Sequence, residues 1–180
     1  MLGNRHLARF FLKGMNHHGL LGRRSLKLAA AKMKQTFKND WERVLELACN
    51  YANYIDANDH VLARRVNGEM LAELDRLRGI HGDNPRILAT IADYTKDVNV
   101  KLSLLSDAFE AHVERMETED AMACATSALR YSREAGRLEQ AALWRERVSS
   151  LISHVRDEWE ISEATKLLEE PPRRSGIEGR

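Results

Sequence analysis

From Trp41 to Leu168, apolar residues recur at spacings of three and four, and turn-forming residues cut the run at intervals of about 15–20. No stretch alternates apolar and polar residues between turn signals, so strands have no support. Such a chain folds as a ladder of helices. The spacing predicts helices over about 41–56, 60–78, 85–96, 99–116, 119–135, 138–154 and 156–169. The punctuation is specific. Asp40 is expected to cap the first of these helices, with the "DAND" segment 56–59 as the turn after it. Gly79 suits the left-handed position after the second helix. Asn84 caps the third, and Pro85 takes its first turn. Thr118, followed by two acids, marks another start, and Gly136 another break.

Connections this short make neighbouring helices antiparallel. Three hairpins result, over roughly 41–79, 84–117 and 119–154, with the last helix as a lid. "YANYIDANDH" at 51–60 has an echo in "IADYTKDVNV" at 91–100 and a looser one in "ALRYSREAGR" at 128–137. Helix–turn–helix units recurring every 35–40 residues suggest a repeat array.

The third hairpin, "SALRYSREAGRLEQAALWRERV", resembles a tetratricopeptide repeat. The small residue of that family's first helix falls on Ala128, the aromatic after it on Tyr131 and the turn Gly on Gly136. Its second-helix Ala falls on Ala141 and the following aromatic on Trp144. Tyr131 and Trp144 each stand one residue off the family's register, and Val148 occupies the place of a second Ala. The motif covers about 20 residues and the architecture about 115. The fold class is therefore all-α: antiparallel helical hairpins stacked as a short tetratricopeptide-like solenoid, or an irregular helical bundle.

Charge divides the chain. Residues 1–40 hold nine Lys or Arg and one acid, Asp40, whereas residues 41–170 hold 16 bases and 25 acids. The expected organisation is a basic N-terminal arm with two short helices at 1–39, a helical-hairpin domain at 40–170 and a tail at 171–180. The tail's last four residues, "IEGR", match a protease-cleavage linker. The arm's cations are Arg5, Arg9, Lys13, Arg23, Arg24, Lys27, Lys32, Lys34 and Lys38. Nine positive charges, nearly unopposed, attract an acidic surface. Nucleic-acid phosphate, an anionic membrane reached with Leu7, Phe10 and Phe11, or the acidic body of this or another copy would each serve. The last option includes a homo-oligomer.

Chemistry is sparse. Seven histidines make no H-E-x-x-H, E-x-x-H or Cys/His cluster, so they read as exposed or capping, and no metal or cofactor is expected. Cys49 and Cys124 read as two buried small apolar residues, with a helix-to-helix disulfide as the alternative. "GLLG" and the glycines around it lack the strand that a phosphate loop or a KH-type clamp needs. No nucleophile–base constellation is present, so no enzyme is expected. The expected function is a scaffold or adaptor for a partner protein or peptide, chaperone-like or immunity-like. Its groove would be lined by Tyr51, Tyr54, Tyr94 and Arg130 on the first helices of the hairpins. Small tetratricopeptide-type chaperones of bacterial secretion systems look similar at the level of fold. The alternatives are a nucleic-acid-binding structural protein that uses the arm, and a peripheral membrane adaptor. No apolar run reaches about 18 residues, so the location is expected to be cytoplasmic. An acid-free, Arg-rich N-terminus makes a mitochondrial location the alternative.

Overall fold

A computed structural model describes residues 24–170, with side chains from residue 37 onward. Seven α-helices and one 3-10 turn account for nearly all of it, and the described residues contain no strand. None of these helices is long and apolar enough to cross a membrane. The chain divides into two units, 1–82 and 83–180.

The first unit contains α1 (Arg24–Asp56) and α2 (His60–His81), which pack on each other. Trp41, Val44, Leu47 and Ala48 of α1 are buried, as are Ala63, Val66, Met70, Leu74 and Leu77 of α2. The α2 set advances by three or four residues, the spacing that keeps one stripe of a helix on one side. The break expected at Asp40 does not occur, and α1 runs unbroken through it. Neither Gly nor Pro interrupts the sequence there, and the carboxylate has a better use than a cap. It lies 2.9 Å from His81 Nε2 and 3.9 Å from Arg76 Nη2, both on α2. Phe37 adds an edge contact to His81, with ring centroids 5.0 Å apart. These ties also explain why α2 outlasts Gly79. The left-handed residue is Gly82, at φ +67°, once His81 has been delivered to Asp40. Cys49, expected inside, is exposed, because it faces away from the stripe.

The second unit contains α3 (Pro85–Tyr94), α4 (Val98–Glu114), α5 (Thr118–Glu134), α6 (Leu138–Leu151), a 3-10 turn (Ile152–His154) and α7 (Glu158–Glu169). Each of α3 to α6 packs on its sequence neighbour, and α7 lies against α5 and, less extensively, α6. Asn84 caps α3 by accepting from Arg86 N at 3.0 Å, with Pro85 in the first turn. Asp97 caps α4 through Asn99 N and Val100 N. Asp157 caps α7 in the same manner.

One turn is used three times in the chain. After α1, α4 and α5, a middle residue takes a left-handed conformation: Asn58 at φ +59°, Met116 at +57° and Gly136 at +69°. In each case that residue's N–H donates to the carbonyl three residues back. The next N–H donates to the carbonyl five back: Asp59 to Tyr54, Glu117 to His112, Arg137 to Ser132. This pairing consumes two orphan carbonyls at each helix end. The third turn residue then occupies the cap position of the following helix. Glu117, not Thr118, holds it before α5, and its side chain makes no cap bond.

The centre of the unit is α5, with ten buried residues, four of them alanines: Ala121, Ala123, Ala125 and Ala128, beside Met122, Cys124, Thr126, Leu129, Ser132 and Arg133.

Candidate functional site

Side chains from successive hairpins meet at separations of 37–38 residues, and α5 meets the last helix at 33–34. Tyr131 Oη donates to Asp93 Oδ1 at 3.1 Å, joining α5 to α3. Arg137 Nη2 donates to Asn99 Oδ1, and Arg147 Nη2 to Glu110 Oε1 at 2.9 Å, joining the α6 side to α4. Arg130 approaches Glu163 of α7 at 3.9 Å, and the buried Arg133 donates to the Leu167 carbonyl. These links define two faces of the second unit.

One face is open. Between α4 and α6 runs a cleft of about 550 Å³. Asn99, Leu102, Ser103, Ser106 and Asp107 line it from α4, and Arg137, Gln140, Leu143, Trp144, Glu146 and Arg147 line it from the α6 side. Trp144 is only 7% exposed because it meets the Phe109 ring edge-on at 5.5 Å, under the Arg147 guanidinium. Leu143 stands 62% exposed at the rim. Arg147 is ion-paired to Glu110. Arg137 hydrogen-bonds only the neutral amides of Asn99 and Gln140, and no carboxylate pairs with it among the described residues. The cleft thus offers an uncompensated guanidinium, two serine hydroxyls and an apolar edge within one space.

The other face holds a closed polar junction. Asp93 lies under Tyr131, and Lys101 Nζ sits 3.8 Å from the centroid of the Tyr131 ring. Burial pushes the Asp93 carboxyl up to about 6, against the pull of the Tyr131 hydrogen bond, Lys101 and Arg130. Burial lowers Lys101, with Asp93 and Glu134 opposing. Burial and the Asp93 charge raise Tyr131, and they also raise the thiol of Cys124. A thiol held protonated in this way is a poor nucleophile.

The four residues expected to line a groove belong to both units. Tyr51 and Tyr54 are half-buried on α1 of the first unit. In the second unit Tyr94 is 4% exposed, and Arg130 is half-buried beside Glu163. Of the arm's cations, Arg5, Arg9, Lys13 and Arg23 lie outside the described residues. Arg24, Lys27, Lys32 and Lys34 are on α1, with side chains outside the described set, and Lys38 is exposed there.

The cleft had a signature that periodicity alone underweights. Asn99, Ser103 and Ser106 fall at i, i+4 and i+7, and Arg137, Gln140, Trp144 and Arg147 at i, i+3, i+7 and i+10. A polar stripe on one helix and a mixed Arg/Gln/Trp stripe one hairpin further on are a lining pattern. His112, read as exposed or capping, is 3% exposed and hydrogen-bonds Glu117. Compared with models of known families, with curated proteins and with solved structures, the chain matches none.

Proposed function

We propose that the second unit is a short tetratricopeptide-like stack that holds a segment of a partner protein, so that the chain acts as an adaptor or chaperone-like scaffold. The observation that carries this reading is the α4–α6 cleft, which joins an exposed leucine to an arginine with neutral partners only. Its volume falls in the range of pockets that take side chains or small ligands. Arg137 suits a carboxylate on the incoming segment, because a guanidinium binds a carboxylate through two parallel hydrogen bonds. Leu143 and the edge of Trp144 suit an apolar side chain beside it. Asp107 and Glu146, on the same lining, disfavour a segment with many acids. The occupant that fits is a peptide with a single carboxylate next to an apolar residue.

The seams at 37–38 residues support the repeat reading, since stacked hairpins bring equivalent helices side by side. The test is selection of peptides from a random display library on the immobilised chain. Selected peptides should bind Arg137→Glu and Leu143→Asp at least tenfold more weakly than the unsubstituted chain. Thermal unfolding should be nearly unchanged, because neither side chain is in the core. Equal binding to all three proteins contradicts the proposal.

A further inference from the structure

The α4–α6 cleft suits an apolar residue beside a carboxylate, at Leu143 and Arg137 respectively. It also carries Asp107 and Glu146, exposed acids with no ion pair among the described residues, which attract cations. The chain itself holds a segment of that composition. Residues 171–180 read PPRRSGIEGR, with Arg173 and Arg174 first and Ile177 directly before Glu178. Residues 1–23, also outside the described residues, contain no Asp or Glu and so offer Arg137 no side-chain carboxylate.

The place where this segment leaves the fold is close to the cleft. Helix α7 ends at Glu169, and its cap residue, Glu170, is already extended at φ −63° and ψ 126°, the conformation favoured before proline. Pro171 and Pro172 cannot continue the helix. The end of α7 is fastened to the end of α5, where Arg133 donates to the Leu167 carbonyl. Arg137 follows Arg133 by four residues. Burial lowers the Arg133 guanidinium, Arg145 of α6 lowers it further and Glu170 opposes, so Arg145 and Glu170 are neighbours of one side chain. The next residue of α6 is Glu146, on the cleft.

Chain lengths agree with a path over α6. Four extended residues from Glu170 to Arg174 span about 13 Å, enough to cross a helix roughly 10 Å wide and bring the arginines to Glu146. Four more, from Arg174 to Glu178, span about 13 Å again. Glu146 and Arg137 are nine residues apart, a helical rise of about 14 Å. The order along the segment is cations, Ile177, Glu178. It matches the order along the α6 side of the cleft: Glu146, Leu143, Arg137.

We propose that residues 173–178 occupy the α4–α6 cleft of their own chain, with Arg173 and Arg174 against Glu146 and Asp107, Ile177 against Leu143, and Glu178 on Arg137. The proposal rests on the cleft being a peptide site and adds its regulation, because a partner segment must displace the tail. A short tether holds the tail at an effective concentration of about 1 mM. An intrinsic Kd of about 100 µM then leaves roughly one cleft in ten open and weakens a partner peptide about tenfold.

The test places a nitroxide on residue 175 of the full chain. Ser175→Cys carries the label in a Cys49→Ser background, and the buried Cys124 stays unlabelled. Amide signals of residues 99–107 and 137–147 should broaden. Ile177→Asp with Glu178→Lys in the same labelled chain should restore at least half of the lost intensity. Equal broadening in both chains overturns the proposal. No peptide enters this measurement, so its failure leaves the peptide site to be decided by the Arg137→Glu comparison. If no peptide depends on Arg137, that reading fails while the label still shows where the tail sits. Peptides that do depend on Arg137 should bind the unlabelled double variant at least tenfold more tightly than the unsubstituted chain. Equal affinities overturn the proposal as well.

Discussion

Asp93→Asn is expected to stabilise the second unit by about 2–3 kcal/mol at pH 8 and to change it little at pH 4. The sign follows from burial. The carboxyl titrates near 6 in the fold, against an ordinary value of 3.8. A raised carboxyl binds its proton more tightly in the folded chain than in the unfolded one. Its favourable contribution is therefore complete below about pH 4 and is lost as pH rises through 6. About two units at roughly 1.4 kcal/mol each give the magnitude. The amide is neutral at every pH, and its oxygen still accepts from Tyr131, so the substitution removes the loss and keeps the bond. Lys101 and Arg130 forfeit an attraction, but their pull was already outweighed by burial in setting the carboxyl's position. Denaturant unfolding of both proteins between pH 4 and pH 8 checks this. Parallel curves would show that Asp93 is solvated.

The largest loss is expected at the centre of the stack. Leu129→Ala should cost about 2–5 kcal/mol, because Leu129 is 0% exposed on a helix enclosed by α4, α6 and α7. Its neighbour probes the opposite failure. Ala128 is also 0% exposed, and its small side chain sets how closely the helices approach. Ala128→Leu should cost about 1–3 kcal/mol by overpacking. Urea midpoints for the two variants measure both effects. A change below about 0.5 kcal/mol at either position would mean that α5 is not enclosed as described.

Helix order was legible because periodicity and turn chemistry agree. Asn84–Pro85 and Gly136 act through local backbone preferences, and both stand where those preferences put them. Asp40 and Gly79 misled for one reason. Their local signals were overridden by contacts about 40 residues away in sequence, Asp40 with His81 and Arg76. Met116 could not be read as a turn residue, since methionine has no preference for positive φ. The two hydrogen bonds of the turn hold it there. The alanines of α5 were visible as apolar positions, but nothing local says that a helix will be covered on nearly every side. The cleft and the Asp93 junction depend on which face of one hairpin meets the next. That information lies in pairs such as Tyr131 with Asp93 and Arg137 with Asn99, which no single window of sequence contains.

The binding account is tested most directly by backbone amide NMR shifts of the full chain, recorded while a display-selected peptide is added. The account predicts that the perturbed residues cluster at 99–107 of α4 and 137–147 at the start of α6, with Arg137, Leu143 and Trp144 among the largest changes. Perturbations confined to α1, at Tyr51, Tyr54 and Lys38, with the α4–α6 cleft silent, would contradict it.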